Sequence, residues 1–234
     1  MANNFMATLI DSIYEKILEE IISGDLQPNQ RLHISQLAAQ YNVGLSPVRE
    51  ALSRLLATEL VTSISQKGFR VAPVSSADLY DIYQTRIHIE LLALQLSIEQ
   101  GNDKWEADII AAYHQLSKYE SEHKIINTED YQEWEIRHRA FNLALINACG
   151  LTYLLNVQSK LYNLTERYRR QWLIAGTTQI DGLPYAKSQK KIMDATLARN
   201  SDVATKLLRK HYENAVKVIE SYFVKHNLFE VEME

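Results

Sequence analysis

The sequence predicts a mainly α-helical protein with one small β-hairpin, and three observations carry that expectation. Gly and Pro are scarce, 7 and 4 in 234 residues, which disfavours a turn-rich all-β fold. Apolar residues recur at helical spacing, as in Leu9, Ile13, Tyr14, Ile17, Leu18, Ile21 and Ile22. Only around Val61–Val71 does the pattern become strand-like.

The first helix is expected over 8–23, with Gly24 closing it. A turn at Pro28 leads into a short segment, Arg31-Leu32-His33-Ile34. Ser35 has the chemistry of an N-cap for a second helix running through Gln40, with Leu37, Ala38 and Tyr41 inward. Asn42-Val43-Gly44-Leu45 breaks that helix. Ser46 followed by Pro47 reads as an N-cap with proline at the first helical position, opening a third helix to about Thr58. Val61–Ile64 and Phe69–Val71 then flank a Gln66-Lys67-Gly68 turn. Three short helices and a hairpin make the plan of a winged helix-turn-helix.

Ala72-Pro73-Val74 is the one candidate linker, which sets two domains, 1–74 and 75–234. Ser75 and Asp78 can form a capping box at the start of the second. Helices are expected there over 76–100, 103–121, 128–149, 151–175, 184–199 and 201–226, with Gly101, Gly150 and Gly176 placed as left-handed C-caps. Six or so helices on short loops imply an antiparallel all-α bundle.

Net charge is −4, but its distribution is uneven. Residues 31–70 carry Arg31, Arg49, Arg54, Lys67 and Arg70 against Glu50 and Glu59, five basic against two acidic groups. No run of about 18 apolar residues exists to span a membrane. Cys149 is the only cysteine, so no intrachain disulfide can form, which suits a reducing cytoplasm. There is no HExxH, no Gly-rich phosphate loop and no nucleophile elbow. An enzyme is therefore not expected, although an all-helical metal-dependent enzyme and a winged-helix protein-interaction module remain the alternatives.

In a helix-turn-helix the second helix of the motif puts its N-terminal residues at base edges in the major groove. That end is Leu45-Ser46-Pro47-Val48-Arg49-Glu50. Arg49 can fork onto guanine or clamp a phosphate. Ser35 and Ser46 can donate to phosphates at helix N-termini. Lys67 and Arg70 on the wing, with Arg31, can reach backbone or minor groove.

The stretch Ile21-Ile22-Ser23-Gly24-Asp25-Leu26-Gln27-Pro28 leads to Leu32, Leu37-Ala38 and Val43. It continues as Ser46-Pro47-Val48-Arg49-Glu50-Ala51-Leu52-Ser53-Arg54-Leu55, then Leu60-Val61 and Lys67-Gly68-Phe69-Arg70-Val71. This resembles the N-terminal domain of GntR-type regulators, and Pro-Val-Arg-Glu-Ala-Leu is the most specific part. The helical remainder resembles the ligand-sensing (FCD-type) domain of the FadR subfamily. The resemblance implies a homodimer on a short palindromic operator in double-stranded DNA, acting as a repressor controlled by a small-molecule effector. Two arginines common in the family are replaced here by Ser35 and Leu45.

The resemblance also implies a place for the effector. Many such domains carry an inward metal site of one Asp and three His. The matching positions here hold His138, Asn142, Gln189 and His211, two imidazoles and two amides. Amide carbonyls are weak ligands for transition metals, so no cofactor is expected and a loosely held divalent ion is the disfavoured alternative. These four residues, with Arg86 and Arg167 to neutralise charge, are expected to bind a small carboxylate. Glu90 stands at i+4 from Arg86, so an intrahelical salt bridge is the plainer reading of that pair. In the cluster Arg167, Arg169 and Arg170, at most two can face inward, and Arg170 is assigned to solvent. His88, His114, His123 and His226 have no ligand spacing.

Overall fold

Helix α1 (Ala2–Ser23) buries Ile10, Ile13, Ile17 and Ile21 on one stripe, and Gly24 at φ 85° ends it. The computed structural model describes residues 2–64, 68–125, 127–174 and 184–229. The helix begins earlier than expected because nothing from Ala2 to Ala7 breaks it. Strand β1 (Arg31–Leu32), helix α2 (Ile34–Gln40), helix α3 (Leu45–Leu56), and strands β2 (Val61–Ile64) and β3 (Gly68–Val71) follow. The short segment at Arg31 is thus a third strand, and the antiparallel sheet has the order β1-β3-β2. Asn42 at φ 54° makes the turn between α2 and α3, where Val43 N–H donates to Ala38 C=O at 2.9 Å. Val48, Ala51, Leu52 and Leu55 of α3 are buried, and α3 packs against α1, α2 and β2.

Two capping expectations are corrected. The N-cap of α2 is His33, whose extended backbone lets its carbonyl accept from Gln36 and Leu37 N–H, so Ser35 lies inside the first turn. The N-cap of α3 is Gly44, which places Ser46 second and Pro47 third in the helix. Proline is tolerated there because first-turn N–H groups have no intrahelical acceptor.

The chain divides into two compact units, one within residues 1–75 and one spanning Ser76–Leu228. Phe229 is counted with the first unit, whereas the sequence assigned it to the second. It follows a closed helix end: Asn227 at φ 52° and the Leu228 N–H to Phe223 C=O bond (2.9 Å) terminate the last helix. The second unit contains, among the described residues, helices α4 (Ser76–Gln100), α5 (Asp103–Glu122), α6 (Thr128–Ile146), α7 (Thr152–Ile174), α8 (Pro184–Leu197) and α9 (Ser201–Lys225). Helix α7 packs against α4, α6 and α9, and every side chain from Leu164 to Arg170 is buried. Helix α8 packs against α5 and α9.

Gly150 adopts the expected left-handed conformation (φ 71°), but Gly101 does not. A Cβ at residue 101 would lie 2.1 Å from the Trp105 ring and 2.7 Å from Ser97 C=O, so glycine is required there for close approach. Gly176 lies outside the described residues.

Candidate nucleic-acid interface and ligand cavity

The exposed face of α3 carries Leu45, Ser46, Arg49, Glu50 and Ser53. Its two arginines differ in what they already hold. Arg54 donates to Asp11 on α1 at 2.7 Å and to Glu50 at 3.1 Å, so its charge is spent within the domain. Among the described residues no acidic group pairs with Arg49, which stands one turn into the helix. Pro47, in the segment expected at the base edges as part of the DNA-binding set, is buried and packs its ring inward. Ser35 and Ser46 are exposed at the first turns of their helices, where outward N–H groups favour anions. Arg31 and Arg70 are direct cross-strand partners in β1 and β3. Arg70 Nη1 donates to Asn29 C=O at 2.6 Å, which fixes its direction. Lys67 lies outside the described residues.

The second unit encloses a cavity of about 30 Å³, room for a few water molecules. Helix α4 contributes Tyr83 and Arg86, and α6 contributes Trp134 and His138. Helix α7 adds Arg169, Trp172 and Leu173, while α9 adds His211, Tyr212, Ala215 and Ile219. Of the expected effector residues, Arg86, His138 and His211 line it. Asn142 stands behind His138, with Nδ2 donating to the His138 carbonyl (2.7 Å) and lying 3.2 Å from His138 Nε2. Its Oδ1 accepts from Tyr212 Oη at 3.3 Å. Gln189 is 2% exposed, does not line the cavity, and neither of its amide atoms has a hydrogen-bond partner. The adjacent Ser188 Oγ is 2.8 Å from His211 Nδ1.

Two arginine assignments change. Arg167 is turned away from the cavity and donates to Asp78 at 2.6 Å, because it sits about 200° around α7 from Arg169. Arg170, assigned to solvent, is 1% exposed and lies over the Tyr131 ring, 5.2 Å from its centroid. The cause is the central position of α7, which has no solvent face over this stretch. Every nitrogen of Arg86 is engaged: Nε donates to Glu90 (2.6 Å), Nη1 to Thr165 (2.8 Å) and Nη2 to Tyr212 (3.2 Å). Its guanidinium lies over the rings of Tyr162 and Tyr212. The lining residues that sequence reasoning passed over are Arg169 and the aromatic walls. Arg169 shares a helical face with Tyr162 and Trp172, a phase visible in the sequence, but nothing local singles it out.

Both imidazoles are held neutral. Burial, then Arg169, His211 and Arg86, pushes His138 well below its usual range. Burial, then Arg86 and Arg169, pushes His211 down to about 3. With Asn142 Nδ2 facing His138 Nε2, the natural tautomer donates from Nδ1 to Tyr162 Oη, 2.9 Å away. As a metal site the donor set does not fit. One imidazole lone pair faces an amide N–H, the other two positions are amides, and two guanidinium groups stand nearby.

Residues 9–71 match the gntR family of bacterial regulatory proteins, and residues 81–214 match the FCD domain. The HTH-type transcriptional repressor GlaR of Escherichia coli (strain K12) is 37% identical over 211 residues, 88% of this chain and 94% of that one. The chain belongs to the GntR family. A second relative, the HTH-type transcriptional regulator BphR of Paraburkholderia xenovorans (strain LB400), is 34% identical over 218 residues, 92% of this chain and 86% of that one. The structure of E. coli McbR/YncC shares the fold, with a TM-score of 0.75 at 19% identity over 92% of this chain and 98% of that one. This GntR member is accordingly a transcription regulator and not an enzyme, with a DNA-binding winged helix ahead of a helical FCD domain. No helix among the described residues is long and apolar enough to cross a membrane.

Proposed function

We propose that this regulator is a repressor that binds a short palindromic operator as a homodimer in the cytoplasm and is controlled by a small carboxylate held in the FCD cavity without a tightly bound transition metal. The observation that carries the DNA half is Arg49, exposed on α3 and held by no acid among the described residues. A single recognition helix covers too few base pairs for a specific address, which favours a two-fold arrangement on two half-sites. The effector half is supported by a buried cavity whose walls pair cationic and neutral hydrogen-bonding groups with aromatic rings. An effector can change operator affinity only by preferring one arrangement of the regulator over another. The test is a gel shift on the native operator with salt titration, combined with light scattering and elemental analysis. A dimer that releases DNA when an organic acid is added, with no stoichiometric zinc or nickel, is the expected result. A monomer on DNA, or a chain that retards no operator fragment, would sink the reading.

A further inference from the structure

We propose that Arg169, and not Arg86, takes the carboxylate in the bundle cavity; this rests on the cavity being the effector site. The two arginines line the same space but differ in what their guanidinium groups still have to give. All three nitrogens of Arg86 already donate, to Glu90, Thr165 and Tyr212, and two tyrosine rings cover its faces. That commits all three nitrogens, and three of the five N–H groups, before any ligand arrives. Arg169 is 6% exposed: Nη2 lies 2.8 Å from both oxygens of Glu135, Tyr83 is a further hydrogen-bond partner, and the guanidinium lies 4.8 Å from the Tyr162 ring centroid. Its Nε is buried without an acceptor. An unmet N–H of a cation out of water is costly, and an added carboxylate oxygen relieves it.

The neighbours suit the same ligand. His138 and His211 are neutral, so neither brings a second full charge to the wall. Trp172, Leu173, Ala215 and Ile219 make the rest of the wall apolar. The geometry therefore selects a carboxylate group with a short apolar body. Glu135 keeps Nη2, so the anion adds to the existing pair and does not replace it.

The experiment is calorimetry on the full-length protein with acetate, propionate and butyrate, and with butyramide as the uncharged match. Binding of at least one acid and none of the amide is expected. Three variants locate the contact. Arg169→Lys keeps a charge beside Glu135 but has no Nε–H in that position, and it should lose tenfold or more in affinity. Arg169→Gln with Glu135→Gln removes the pair together and should lose as much. Arg86→Gln with Glu90→Gln removes the other buried pair together and should lose clearly less than either Arg169 variant. Circular dichroism verifies that each variant folds. If none of the three acids binds, if butyramide binds as well as butyrate, or if Arg169→Lys keeps wild-type affinity, the assignment is overturned. The wider reading fails separately: an Arg169-dependent acid that leaves operator affinity unchanged would confirm the anchor and remove the effector role.

Discussion

Arg86 Nε donates to Glu90 Oε1 at 2.6 Å, one helical turn apart on α4, and both side chains are 1% exposed. On a helix surface such a pair contributes a few tenths of a kcal/mol. Here the same spacing lies in the interior, where the pair's own strength is modest but breaking it strands a charge. Glu90→Ala should destabilise the FCD domain by about 3–5 kcal/mol. Trp105, Trp134 and Trp172 all lie in this domain, so urea unfolding followed by tryptophan fluorescence reads it alone. A loss below about 1 kcal/mol would mean that Arg86 finds another counter-charge.

For DNA binding the two arginines of α3 should separate. Arg49→Ala should cost roughly 1–3 kcal/mol in specific operator affinity. Arg54→Ala should cost under about 1 kcal/mol, since Arg54 is partly exposed and engaged by Asp11 and Glu50. Equal losses in a gel shift at fixed salt would contradict this division of roles.

Acid should weaken the FCD domain through its histidines. The unfolded His211 takes a proton near pH 6.5, while the folded residue resists until about 3. A depressed histidine costs nothing above pH 6.5 and progressively destabilises the fold as pH drops below it. Each such group adds up to about 1.4 kcal/mol per pH unit. His211→Asn should therefore flatten the fall in stability between pH 6 and pH 4 relative to wild type. A parallel curve would show that His211 is protonated in the folded state.

Glu166 should act with the opposite sign. Burial first, then Glu135, pushes its carboxyl up to about 7 against the pull of Arg169, Arg139 and Arg170. Its folded form holds the proton longer than the unfolded chain, so stability is lost as pH rises from about 4.5 towards 7. Glu166→Gln should leave stability near pH 4 unchanged and raise it at pH 8 by roughly 1–3 kcal/mol. Thermal melts at the two pH values check this, and a destabilised variant at pH 8 would show that the ionised carboxylate is needed.

Much of the architecture is written locally. The spacing of Ile10, Ile13, Ile17 and Ile21 makes α1 amphipathic, and the shortened period around the wing makes β2 and β3, because burial of one face depends only on periodicity. His138 and His211 were also legible as residues of one cavity, through resemblance to a family pattern. Cap positions at His33 and Gly44 were each missed by two residues, since several adjacent residues can start a helix and the backbone angles choose. What no local pattern held is which arginine faces which acid. Arg167 meets Asp78 of α4, Arg169 meets Glu135 of α6, and Arg86 meets Glu90 of its own helix. The first two acids are distant in the chain, so tertiary packing alone left Arg169 Nε unmet while it engaged every nitrogen of Arg86. Burial of a charge is tolerable only with a partner, and partners across helices are set by how the helices pack.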